Sequence, residues 1–168
     1  MLEVKLDQGL VAGHGGVVSG KVCVHVKKGT LAQHLEVRIT GNESANVWYS
    51  SGNKGGETAT NKRALFALQY SLVVFDEGKV QESQCEYPFR IALPENASGS
   101  GWPSSVKMSS VTPMMNPDSC EIRYFVESEL FLTGSLFAAN PKSKAEFRVE
   151  STSRPSIVPQ ERKVKMSV

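Results

Sequence analysis

The chain has 168 residues, of which 40% are hydrophobic and 21% charged, and its formal net charge is +2. That is enough chain and enough apolar side chain for one ordinary globular domain, and too little charge for a nucleic-acid binder or an electrostatic membrane binder. No run approaches the ~20 apolar residues of a membrane span, and an N-terminus carrying Glu3 and Asp7 with no long apolar stretch predicts no signal peptide.

Leu2, Val4 and Leu6 alternate with polar residues and predict a first strand. The next stretch, GGVVSGKV at residues 15–22, has the spacing of a phosphate-binding loop: Gly, four residues, Gly, Lys. Such a loop needs Ser or Thr after the lysine, and a helix whose free N–H groups face the phosphates. Val22 stands in that place, and Cys23, Val24, His25 and Val26 follow, a β-branched alternating run. Both conditions fail, so residues 15–22 read as the entry to a strand. Val22, Val24 and Val26 lie on one face, with Lys21, Cys23, His25 and Lys27 on the other. Gly15 and Gly20 bracket the bend, where a side chain would crowd the opposing sheet. The GHGG at residues 13–16 would need a Gly-x-Ser-x-Gly elbow to suggest an esterase, and Ser19 does not sit in one.

Further along, Leu35, Val37 and Ile39 alternate with Glu36, Arg38 and Thr40. Residues 50–62 are polar and glycine-rich and read as a turn segment. KRALFALQYSLVVF, residues 62–75, fits a strand through Phe66, Leu68, Tyr70, Leu72 and Val74. It also fits an opening helical turn through Leu65, Leu68 and Leu72, but Val73, Val74 and Phe75 favour the strand. Residues 94–103 and 112–118 read as loops. Ile122, Tyr124, Val126, Leu130 and Leu132 mark one strand face, and Ala145, Phe147 and Val149 another. Beyond Glu150 the chain is polar, with two prolines. The expected organisation is therefore a domain over 1–151 and a linker or tail over 152–168, with a last strand at 164–168 that would open a second domain. Many strands with turns between them and almost no helical period predict an all-β, immunoglobulin-like antiparallel β-sandwich.

Chemistry-bearing motifs are sparse. Cys23, Cys85 and Cys120 are odd in number and widely spaced, which predicts free, half-buried strand thiols. His14, His25 and His34 lack metal-ligand spacing, and no carboxylate pair stands out. No enzyme activity, cofactor or metal is expected. Two glycosylation triplets, Asn42-Glu43-Ser44 and Asn96-Ala97-Ser98, mark surface turns. They would suit an extracellular adhesion module only if the protein were secreted.

One region is more specific. Tyr87-Pro88-Phe89, then Leu93-Pro94, then Pro103-Ser104-Ser105-Val106, then Ile122, Tyr124 and Val126 follow one another in the order and spacing of the arrestin N-terminal domain, which the chain resembles over residues 1–151. Gly15, Val18, Gly20 and Val22 match the family's second strand, and Val37 to Gly41 its third. Ala12 departs where the family carries an aromatic, and Gly16 where it carries Glu. The resemblance, to a divergent member of the alpha-arrestin or arrestin domain-containing type, implies a non-enzymatic adaptor or scaffold in intracellular trafficking and endocytosis. Its partners would be membrane cargo tails and sorting or ubiquitin-ligase machinery, with no nucleic acid. It would be cytoplasmic, with peripheral association at endosomes or the plasma membrane. The alternative is a structural coat subunit like the arrestin-fold subunit of retromer. In phosphate-sensing relatives a peptide adds along a strand edge and its phosphates meet lysines. The candidates for that role here are Lys5, Lys21, Lys27 and Lys28, on or beside the first strands. Tyr124, Phe89 and Trp102 are expected to pack in the core or at its rim.

Overall fold

The computed structural model describes residues 1–50, 56–99, 101–109, 118–134 and 139–151; the tail 152–168 and most of the expected loop 112–118 lie outside them. The described residues form a β-sandwich of β1 (Leu2–Leu6), β2 (Leu10–Ala12), β3 (Val17–His25), β4 (Ala32–Ser50), β5 (Gly56–Val74), β6 (Gln84–Ala92), β7 (Val106–Ser109), β8 (Ser119–Leu132) and β9 (Lys142–Glu150). A three-stranded sheet runs β1-β3-β6, and a six-stranded sheet runs β2-β9-β8-β4-β5 with β7 beside β8. Every pairing is antiparallel except the short parallel contact of β2 with β9.

The expected alternation places the core. Val22, Val24, Leu35, Val37, Ile39, Tyr124, Val126 and Leu130 are all fully buried between the sheets. Pro88 sits in β6, an edge strand, where its missing N–H leaves no gap in a ladder. Phe89 and Trp102 are buried with Tyr124, as expected.

Four details differ from the sequence reading. Residues 56–62 are strand, not turn: they pair with β4 through Thr58↔Trp48, Thr60↔Asn46 and Lys62↔Ser44. Both faces there carry polar or small residues, so no hydrophobic period announces the strand. Side-chain links such as Thr60 Oγ1 donating to Asn46 Oδ1 at 2.8 Å support it. The helical spacing of Leu65 and Leu72 has a different cause: each falls at a register shift and is an unpaired bulge residue in β5. Cys23 lies on the outer face as period two requires, yet it is 1% exposed. Glu3 and Glu86 flank it in register, its thiol donates to Glu86 Oε1 at 3.6 Å, and long charged side chains cover it with their stems. Gly20 is crowded from within its own sheet: a Cβ there would lie 2.2 Å from the carbonyl oxygen of Lys5 on β1. At Gly15 a Cβ would meet nothing, and the requirement is the left-handed φ of +63°.

Ser128 interrupts the apolar face of β8 between Val126 and Leu130. It is 2% exposed, and its Oγ has no hydrogen-bond partner among the described residues. A buried, unpaired hydroxyl costs about 1–3 kcal/mol. Ser128→Ala is therefore expected to stabilise the fold by about 1 kcal/mol, raising Tm by about 2–4 °C for a chain of this size. A thermal or denaturant melt showing a loss of stability would mean that the hydroxyl has a partner.

Candidate functional site

Among the described residues, an open groove of about 1340 Å³ lies between β5 and the loop 94–104. Its sheet side is formed by residues 63–68 of β5 with Ile122 of β8, and behind Phe66 lies a row of aromatic rings. Phe66 on β5, Gly41 on β4, Tyr124 on β8 and Phe147 on β9 stand in one cross-strand row. With no side chain at Gly41, the rings close over it: a Cβ there would sit 2.8 Å from Tyr124 Cε1 and 2.9 Å from Phe66 Cε1. Tyr124 lies 5.9 Å from Phe66 and 5.7 Å from Phe147, ring centre to ring centre. Full burial pushes the Tyr124 phenol far above its ordinary pKa, so the hydroxyl is a fixed donor.

The opposite wall is a loop tied down at many points. The Trp102 ring tilts onto Phe66 at 4.7 Å, its Nε1 donates to Pro94 O at 2.6 Å, and its backbone N donates to Gly13 O at 2.8 Å. Tyr124 Oη donates to Pro103 O at 2.6 Å. Ser105 exchanges bonds with Val149: its N donates to Val149 O at 2.8 Å, and its Oγ accepts from Val149 N at 2.9 Å. Ser151 N donates to Ser104 Oγ at 2.9 Å. The Asn96 amide closes the loop on Gly101 O at 3.0 Å. Leu65, Leu68, Ala97 and Val106 add apolar lining. At one end, Arg63 pairs with Glu43 at 2.7 Å. A rigid apolar trough with carbonyls and few charges can accept an extended chain by side-chain insertion.

The four lysines do not form one site. Lys5 and Lys21 stand directly opposite each other on β1 and β3. Each also faces an acid: Lys21 Nζ is 2.8 Å from Glu86, and Lys5 Nζ is 3.4 Å from Glu3. The hydrogen bond from Lys21 holds the Glu86 carboxyl below its usual range. Lys27 and Lys28 are exposed in the turn after β3. Six residues of extended chain, about 20 Å, separate Lys27 from Lys21. Among the described residues no three His, Cys, Asp or Glu side chains cluster as a metal would require, and no helix is long and apolar enough to cross a membrane.

Sequence alone assigns Trp102 to packing, and nothing in it marks the trough beside that ring. The residues that build it come from β5, the loop 94–104, β7 and β8, and only the fold brings them together.

No protein-family model matches the sequence, and no curated protein matches it. Among solved structures, the chain is similar to the crystal structure of Spo0M, a sporulation control protein from Bacillus subtilis. The two share 14% sequence identity with a TM-score of 0.50, over 89% of this chain and 49% of that one. At that identity the likeness is one of fold, the arrestin-like β-sandwich, and this chain spans about half the length of the structure it matches.

Proposed function

We propose that the protein is a non-enzymatic adaptor whose groove between β5 and the loop 94–104 captures an extended segment of a partner protein. The observation that carries this reading is the built wall of the groove. Trp102 is fixed at its indole and its backbone and tilted against Phe66, so an aromatic anchor is held in place before anything binds. Cytoplasmic tails of membrane cargo are the partner class that the resemblance implies, which would put the protein at endosomal or plasma membranes as a peripheral component.

The test is a titration with a display library of disordered cytoplasmic tails, read by Trp102 fluorescence in a Trp48→Phe background. Selected peptides should shift the emission, and Leu68→Arg or Ala97→Arg in the trough should weaken binding about tenfold or more. Lys5→Ala/Lys21→Ala should leave it unchanged. Peptides that bind only when phosphorylated, and only with Lys5 and Lys21 intact, would overturn the groove reading in favour of the outer face of the smaller sheet.

A further inference from the structure

Among the described residues β1, β2, β5, β6 and β7 each pair on one side only, and all but β5 are short or blunted. β1 gives its Val4 N–H to Ser143 Oγ at 3.1 Å, β6 carries Pro88, β2 is three residues long and β7 four. β5 is the exception. It is 19 residues long and, among the described residues, pairs with β4 alone. From Ala64 to its end at Val74 it runs eleven residues without a charge, a proline or a glycine, with Tyr70 43% and Val74 71% exposed. Natural proteins rarely leave so long an uncharged edge unpaired.

The charges sit at its two ends and have opposite signs. Lys62 and Arg63 precede the run, and Asp76 and Glu77 follow it, all of them exposed. We infer that β5 pairs antiparallel with β5 of a second copy of this chain, joining two six-stranded sheets edge to edge about a two-fold axis. With the axis at Gln69, Leu68 faces the partner subunit's Tyr70 on the inner side of the sheet, an apolar–aromatic cross-strand pair of the kind that stabilises ladders. The same operation carries Lys62 and Arg63 to the partner's Asp76 and Glu77 at both ends of the seam, as an isologous contact requires. A parallel copy would bring like charges together instead, so the charge pattern selects the antiparallel partner. This inference goes beyond the groove reading and does not rest on it: it is argued from the long unpaired edge and the end charges of β5, and the seam and the groove share residues 63–68.

Sedimentation equilibrium of the full chain at low salt tests it with three variants whose substitutions lie outside the core. Lys62→Glu/Arg63→Glu should weaken dimerisation about tenfold or more, since like charges then meet at both ends of the seam. Asp76→Lys/Glu77→Lys should do the same. All four substitutions together should restore wild-type association, because the charges are exchanged and the pattern is preserved. Three results would overturn the inference: a wild-type chain that stays monomeric at high micromolar concentration, a dimer indifferent to both swaps, or a quadruple variant that fails to recover. Open-ended assembly in place of a closed dimer would overturn it too.

Discussion

Replacing Tyr124 with alanine is expected to remove about 3–5 kcal/mol of folding free energy, against the roughly 5–15 kcal/mol that a domain has available. Tyr124 is fully buried at the middle of the aromatic row, and its ring fills the space left open at Gly41. Alanine would leave a void bounded by Phe66 and Phe147, rigid rings that cannot collapse into it. It would also release Pro103 O from the Tyr124 hydroxyl, a link that holds the loop 94–104 to β8. Tyr124→Phe separates the two contributions. It keeps the ring and deletes the hydroxyl, at an expected cost of about 1–2 kcal/mol. That cost should appear as faster amide exchange in the loop more than as a lower midpoint. Chemical denaturation of both variants decides the matter: a Phe variant as damaged as the Ala variant would show that the hydroxyl, and not the packed row, holds this end of the sandwich.

The same row shows how far a sequence can be read. Tyr124, Val37 and Ile39 were legible because each belongs to a strand with one wet face and one dry face, and period two reports that contrast directly. Where both faces see water the signal vanishes, and residues 56–62 pass for a turn although they pair with β4 throughout. Where long side chains lean over a neighbour, as at Cys23, period two gives the correct face and the wrong burial. Bulges corrupt the period itself: Leu65 and Leu72 imitate a helix because each inserts one residue into β5. The groove was not legible at all. Its lining residues are of the same kinds as the core, and Trp102 differs from a core aromatic only in what lies beside it after folding. The separation of Lys5 and Lys21 from Lys27 and Lys28 was open to strand arithmetic, but the acids that face the first pair come from β1 and β6 and required the register.

Gly16 is the departure from the arrestin pattern with the sharpest physical content, and placing that pattern's acid there is expected to be severely destabilising. A Cβ at residue 16 would lie 2.0 Å from the carbonyl oxygen of Ala12 and 2.6 Å from Val11 Cγ1. The nearer obstacle is main chain, which no rotamer change can move. Gly16 is also pinned from the other side, since its carbonyl accepts from Leu93 N at 2.8 Å. The turn between β2 and β3 thus folds back against itself more tightly than any side chain allows. Ala12, at the other departure, supplies the opposing carbonyl, so the two differences from the family meet at one contact. Gly16→Ala should therefore cost about 3 kcal/mol, the upper range for overpacking, and Gly16→Glu more, because a carboxylate would be buried against a carbonyl oxygen as well. Gly9→Ala is the control: nothing lies within 4 Å of a Cβ there, and its midpoint should stay close to wild type. If Gly16→Glu melts with the wild type, the turn has room to open, and a steric demand of the turn is not what holds glycine at this position.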